Sequence, residues 1–276
     1  MHQAFLVYNR FRYLKLALLL LIAAVAAYVW HRPTGLPGGG TWLGYTLGVI
    51  GALLILWLMW LGVRKRRYRS TLGTVEGWTS AHGYLGLVLL VIATLHTGFR
   101  FGINIHTLAY ALMVAVIVSG IYGVYAYMRY PRLMTENRRA KALDALLGEI
   151  AELDRECREA ALTLNDEIYK AVLHSSEDTR LGGSMWRQLS GRDPRCATAD
   201  ALRRVQESAK HTPPALAAPT RRLVVLLNRK SELLARARKD IQYKAYMDIW
   251  LYLHVPLSFA LLAALIAHIV SVFTYW

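Results

Sequence analysis

Five long apolar stretches dominate this chain of 276 residues. A helix needs about 20 apolar residues to cross a bilayer core about 30 Å thick, and each stretch is near this length. Backbone polar groups cannot stay unpaired in lipid, so stretches of this kind fold as helices. The sequence therefore predicts an all-α integral membrane bundle of five transmembrane helices, at about 14–30, 42–63, 82–101, 106–128 and 249–274.

Basic residues flank these stretches and predict the orientation of the chain. The formal net charge is +15, and arginines and lysines cluster before the first stretch, at 64–69 and throughout 129–248. By the positive-inside rule these regions are cytoplasmic, so the N-terminus and 129–248 lie inside and the C-terminus lies in the periplasm. We expect a bacterial cytoplasmic (inner) membrane. The aromatic residues that suit its outer interface are Trp30, Trp42, Tyr275 and Trp276. Basic residues placed in this way predict lipid contacts and no nucleic-acid partner.

The chain divides into transmembrane helices 1–4 at 1–128, a hydrophilic insertion at 129–248 and helix 5 at 249–276. The insertion holds every acidic residue except Glu76. Two apolar stripes at heptad spacing predict an antiparallel, coiled-coil-like helical hairpin that docks a partner or dimerises. Glycines and prolines predict an irregular loop at about 173–219. The stripes are Leu143, Ile150, Cys157 and Leu164 with Leu146, Leu153 and Ala160, and then Leu223, Leu227, Leu234, Ala237 and Ile241.

Two pairs of histidines share one spacing inside the apolar stretches. His82 and His96 are fourteen residues apart, and so are His254 and His268. Fourteen residues are about 3.9 helical turns, which places both members of a pair on one face and roughly 21 Å apart. Both helices begin on the cytoplasmic side and therefore run parallel. His82 is then level with His254, and His96 with His268, so each level offers two imidazole nitrogens to one metal.

This arrangement resembles the di-haem cytochrome b core of quinol:cytochrome c reductases and of the membrane domains of ferric reductases and NADPH oxidases. In that family two helices each carry two histidines and hold one haem near each membrane face. The resemblance covers the membrane part and leaves 129–248 unexplained. It implies two b-type haems, with iron bound by His82 and His254 on the inner side and by His96 and His268 on the outer side.

Small and basic residues next to these histidines fit a macrocycle. Gly83 and Gly86 follow His82 and would leave room for one, although small residues also favour plain contacts between membrane helices. Arg100 lies one turn after His96 and either pairs with a haem propionate or extends to the lipid interface.

Four further residues are candidates for an inner quinone site. Glu76 and Asp248 each precede an inner histidine by six residues, and Trp78 and Ser80 lie beside Glu76. Quinone chemistry needs a proton acceptor near the membrane surface. The alternative is that Glu76 balances the arginines at 64–69 and that Asp248 only marks the interface.

The chain offers no complete redox enzyme by itself. It has no nucleotide-binding fingerprint, and Cys157 and Cys196 form no C-x-x-C pattern for a cluster or a c-type haem. We therefore predict an electron-transfer subunit of an oxidoreductase, linking quinone or quinol to a cytochrome c, an iron–sulfur protein or a flavoprotein. Two alternatives remain open: a haem-free membrane scaffold or sensor with coiled-coil output, and a metal transporter that uses intramembrane histidine. A transporter would be expected to add acidic or thiol ligands in the membrane, which the apolar stretches lack.

Overall fold

The computed structural model describes residues 5–31, 38–67, 73–138 and 142–274. Within these ranges the chain is helical and forms no strand, which confirms the all-α prediction. The helices are α1 (Tyr8–Trp30), α2 (Trp42–Arg66), α3 (Val75–Thr97), α4 (Ile105–Asn137), α5 (Leu143–Ala161), α6 (Asp166–Asp178), α7 (Met185–Ser190), α8 (Ala197–Ala209) and α9 (Ala217–Thr274). Tyr275, Trp276 and the end of the basic run at 68–69 lie outside the described residues.

Five of these helices are long and apolar enough to cross a membrane, namely α1, α2, α3, α4 and α9. The prediction of five transmembrane helices is thereby confirmed at the level of length and composition. α9 is one helix of 58 residues, so the second apolar stripe of the insertion and the fifth apolar stretch belong to a single element. Threonines begin two of the others: Thr41 accepts a hydrogen bond from the Gly44 amide, and Thr74 accepts one from the Gly77 amide.

The first compact unit comprises Met1–Tyr125 and Trp250–Trp276. Its main core joins α2, α3, α4 and α9 through Ile55, Leu58, Ala81, Leu85, Leu89, Met113 and Leu261. A second cluster joins α1, α2 and α3 through Ala17, Leu43, Leu47, Val88, Ile92 and Leu95. α3 contributes to both clusters, so it lies at the centre of this unit and its histidines have helices on several sides.

The second compact unit comprises Ala126–Ile249, and both predicted apolar stripes meet in its core. The fully buried members include Leu146, Cys157, Leu223 and Leu227. The insertion is nevertheless not a simple hairpin. Its first arm ends at Ala161, and α6 starts afresh because the Asn165 side chain caps it by accepting from the Ile168 amide at 2.9 Å.

The predicted irregular loop at 173–219 is wrong for most of its length. It contains the end of α6, the short α7 and the thirteen-residue α8. α8 forms because Ala197, Ala201 and Val205 recur every four residues and give it one apolar face. That face is buried, with Val205 fully enclosed in the core of the second unit. The insertion is therefore a small helical domain and not two arms joined by a loop.

A buried lysine lies inside this domain. Lys230 on α9 is 1% exposed, and its amine contacts an Asp154 carboxylate oxygen at 2.6 Å. The same amine donates to the Ser175 carbonyl at 2.9 Å and to the Ser175 hydroxyl at 2.8 Å. Lys230 thus ties α9 to α5 and α6 through charged and neutral hydrogen bonds in a place where water is excluded.

The Cys157 thiol gives the second unit a pH dependence at the alkaline end. Burial raises the pKa of Cys157 from its ordinary 9.0 to about 11. Below pH 9 the thiol is protonated in both the folded and the unfolded chain. Between about pH 9 and 11 only the unfolded chain loses this proton, so the unit should lose stability as the pH rises. Urea midpoints followed by circular dichroism should fall less over this interval in Cys157→Ala than in wild type, and Cys196→Ala controls for losing a buried thiol.

Candidate functional site

The first unit brings together the histidines in the two predicted pairs. The imidazole rings of His96 and His268 have centroids 6.1 Å apart and stand nearly perpendicular, at 83°. His82 and His254 lie close enough to interact electrostatically. All four side chains are half-buried. α3 and α9 therefore run in the same direction, with one histidine pair at each of two levels.

α2 orients both histidines of α3 through backbone carbonyls. The Nδ1 atom of His82 donates to the Leu58 carbonyl at 3.1 Å, and that of His96 donates to the Gly44 carbonyl at 2.7 Å. A carbonyl oxygen only accepts, so each ring carries its hydrogen on Nδ1. The two carbonyls are fourteen residues apart, as the two histidines are. Nε2 is left with its lone pair in both rings.

α4 orients both histidines of α9 through side chains. The Ser119 hydroxyl donates its one hydrogen to the Val116 carbonyl at 2.8 Å and lies 2.7 Å from Nδ1 of His254. Ser119 must therefore accept from His254, whose Nε2 keeps the lone pair. Nδ1 of His268 lies 2.5 Å from Nδ1 of His106, and one of the two nitrogens donates to the other.

These contacts leave the same nitrogen available on every ring. Within the part of the chain that the structure describes, no protein atom hydrogen-bonds to Nε2 of His82, His96, His254 or His268. Histidines that bind metals typically donate the other ring N–H to a carbonyl or a side chain, which fixes the tautomer and the ring orientation. His82, His96 and His254 have this form, and Nδ1 of His268 is held by His106.

The spacing of the outer pair also fits one metal held between two imidazoles. Metal–imidazole bonds are about 2 Å long, so two rings on opposite sides of one ion have centroids about 6 Å apart. The 6.1 Å between His96 and His268 matches this value. The described residues contain no group of three or more histidines, cysteines or acids suited to a bare metal ion. A haem needs only two protein ligands, because its porphyrin supplies the other four, so the residues present fit this group.

The two glycines that follow His82 on α3 have free space beside them. A Cβ atom built on Gly83 or Gly86 would meet no atom of the described residues within 4 Å. Within these residues the two glycines have open space beside them. Gly120 on α4 lies against His254, where a Cβ would be 3.5 Å from the ring. Room next to the histidines is what a macrocycle would require.

A glycine on α2 makes room for the His96 ring. A Cβ on Gly48 would lie 2.7 Å from a ring carbon of His96, whereas a Cβ on Gly62 would meet nothing within 4 Å. Each of these glycines lies four residues after the carbonyl that binds a histidine. Gly48→Ala should therefore displace the His96 ring, at a cost of about 1–3 kcal/mol, and lower the occupancy of the outer haem that the resemblance implies. Gly62→Ala is the matched control and should leave haem content unchanged in a pyridine haemochrome assay.

Three of the four residues proposed for an inner quinone site, Glu76, Trp78 and Ser80, belong to α3. Glu76 is exposed in the first turn of α3, and Trp78 stacks on Trp57 with ring centroids 4.8 Å apart. Ser80 is 1% exposed, and its hydroxyl has no hydrogen-bond partner among the described residues. Asp248 belongs to the second unit, so its place beside Glu76 stays a prediction. Arg100 is exposed in the turn after α3.

One cavity of about 90 Å³ lies beside Gly44, the residue whose carbonyl accepts from His96. Its lining includes Gly44, whose carbonyl holds His96, together with His31 and Leu95. Small-molecule sites usually measure about 300–1,000 Å³, so this cavity is too small for a porphyrin. It can hold water beside the Gly44 carbonyl that accepts from His96.

The residues that orient the histidines were not predicted from the sequence, with one partial exception. His106 is visible as a histidine at the start of the fourth stretch, but its position in the sequence does not indicate a contact with His268. Ser119, Gly44 and Leu58 carry no recognisable motif. The repeat of glycines at 48 and 62, fourteen residues apart, is the signal that could have revealed the α2 carbonyls.

No family model, curated protein or solved structure matches this chain. The functional assignment therefore depends on the geometry of the site.

Proposed function

We propose that this chain is a transmembrane di-haem b-type cytochrome that passes electrons across the membrane as a subunit of a larger electron-transfer complex. One observation supports this most strongly: all four intramembrane histidines have Nδ1 held by a neighbouring helix, and none of the described residues hydrogen-bonds to their Nε2. Four chance histidines would have no reason to share one orientation, because buried polar nitrogens normally use whichever partner is near.

Each histidine pair would hold one haem b through Nε2. His82 and His254 would bind the inner iron, and His96 and His268 the outer iron. Haem supplies one-electron oxidation and reduction at each level. The protein contributes ring orientation through the Leu58, Gly44, Ser119 and His106 contacts. Two protein ligands per iron complete its coordination, so we assign electron transfer and not oxygen activation.

The redox partners are proposed from the same reasoning. A lipid quinone is the membrane partner that such a cytochrome can meet directly, and a cytochrome c, an iron–sulfur protein or a flavoprotein is the soluble one. The distribution of basic residues supports placement in a bacterial inner membrane with the second unit in the cytoplasm. The second unit then offers a helical surface for a partner subunit or a second copy.

An optical spectrum tests the proposal. Protein purified from haem-replete cells should be red and should show a b-type α-band after reduction with dithionite. A colourless preparation from the same cells would contradict the proposal and favour a haem-free scaffold or sensor.

Glu76 provides the test of the quinone step. General acid–base groups typically contribute 10²–10⁴-fold, so Glu76→Gln should slow haem reduction by a quinol by about 100-fold. Reduction by dithionite, which needs no proton acceptor, should be unaffected. Glu167→Gln, an exposed acid at the start of α6, is the matched control. An unchanged quinol rate in Glu76→Gln would remove Glu76 from the quinone site while leaving the haem assignment intact.

A further inference from the structure

Four arginines converge on one cleft in the second unit. Arg180, Arg187, Arg192 and Arg238 line it, together with the backbone of Gly182 and Gly191. We propose that this cleft binds the phosphate group of an anionic phospholipid. The proposal is independent of the haem assignment, since none of these residues belongs to the first unit.

The cleft has an excess of positive charge that the protein does not neutralise. Arg238 pairs with Asp193 at 3.0 Å and also contacts the Cys196 sulfur. Arg180, Arg187 and Arg192 have no carboxylate partner in the described ranges, and each is exposed. Guanidinium groups bind phosphate oxygens through paired, charge-assisted hydrogen bonds. Three unpaired guanidinium groups around one cleft are thus suited to a phosphate anion.

Hydrogen bonds to α9 hold the arginine-bearing segment in place. The Leu189 carbonyl accepts from the Gln242 amide at 2.7 Å and from the Tyr246 hydroxyl at 3.2 Å. Gly191 has a φ of +62° and packs so closely on Gln242 that a Cβ there would clash. The arginines that flank this point are therefore presented from a fixed backbone, which lowers the entropic cost of binding a ligand.

The contact between the arginine-bearing segment and α9 lies close in sequence to an apolar stretch, and this indicates the source of the phosphate. Tyr246 precedes the apolar stretch at 249–274 by three residues, or about 5 Å along α9. Trp186 lies in the same segment and is 81% exposed. Tryptophan beside arginine is typical of the membrane–water interface, where headgroup phosphates are abundant. A phospholipid headgroup therefore fits better than a phosphate free in solution.

The test uses the full chain in detergent with phosphatidylglycerol or phosphatidylcholine added, and counts bound lipid by native mass spectrometry. Wild type should retain phosphatidylglycerol in preference to phosphatidylcholine. The double variant Arg187→Gln/Arg192→Gln should lower phosphatidylglycerol retention by about 30-fold, because each arginine near the surface contributes separately. Arg187→Lys/Arg192→Lys keeps the charge and should keep part of the lipid binding. Comparing it with the glutamine variant separates loss of the site from failure to fold.

Arg221→Gln/Arg222→Gln is the matched control, since it removes the same charge from exposed positions about 25 Å from Arg238 of the cleft, toward the start of α9. It should retain the lipid preference of wild type. Equal loss in both glutamine variants would overturn the proposal, as would no loss in either. A separate arm adds inorganic phosphate at the same concentration as the lipid. Displacement of phosphatidylglycerol by inorganic phosphate would overturn the lipid source and assign the cleft to a soluble phosphate.

Discussion

Replacing His268 with Leu should lower the haem content from about two per chain to about one. The remaining haem should be the inner one, because His82 and His254 and their anchors on α2 and α4 are untouched. The loss should be complete and not partial, since His96 would be the only histidine ligand left to hold the outer haem. Leucine is tolerated in an apolar helix, so the bundle itself should persist.

Haem content by pyridine haemochrome, with protein measured on the same sample, checks this result. His82→Leu should remove the other haem, and the double variant His82→Leu/His268→Leu should contain almost none. His174→Leu is the control, because His174 is an exposed histidine of the second unit that pairs with Asp178. Retention of two haems in His268→Leu would show that this histidine is not a ligand.

Replacing Lys230 with Met should destabilise the second unit by about 3–5 kcal/mol. The change keeps most of the side-chain volume but removes the cation that faces Asp154, whose side chain is only 18% exposed. It also removes the amine that donates to the buried Ser175 carbonyl and hydroxyl, and the hydroxyl keeps only its hydrogen bond to the Thr198 hydroxyl at 3.0 Å. The cost comes mainly from the charge and polar groups left unpaired, and not from a cavity.

Hydrogen exchange of α5 amides in the full chain measures this effect, and protection should fall by about two to four orders of magnitude. Lys230→Met/Asp154→Leu should recover much of it, because removing both partners leaves no buried charge. Lys170→Met is the control, since Lys170 pairs with Asp166 on an exposed surface and such pairs contribute about 0–1 kcal/mol. Similar protection in Lys230→Met and Lys170→Met would show that the buried pair contributes nothing.

Length and hydropathy were enough to predict the membrane helices, because the bilayer sets both requirements. The second unit was harder to predict. Heptad spacing predicted which residues of α5 and α9 meet, since that depends only on the helical period. It could not predict the break after Ala161, where one capping side chain, Asn165, decides the local structure. It also missed α8, because the glycines and prolines around that segment obscured its four-residue apolar spacing.

In the candidate site, too, helical periodicity could be predicted from the sequence and individual side-chain contacts could not. The fourteen-residue spacing was enough to predict which histidines pair, because about four helical turns return a side chain to the same face. The partners of Nδ1 could not be predicted, since two are backbone carbonyls that any sequence provides. Ser119 is one of many serines, and His106 is meaningful only once α4 is placed beside α9. The groups that contact Nδ1 depend on how neighbouring helices pack. The sequence of one helix does not determine this packing.

The number and ligation of haems in the purified wild-type chain test the central claim most directly. Haem and protein should be measured on one sample, together with the low-temperature electron paramagnetic resonance spectrum of the oxidised protein. We expect about two haems per chain, both low-spin with two imidazole ligands. A preparation from haem-replete cells that contains no haem, or a single high-spin haem, would contradict the account.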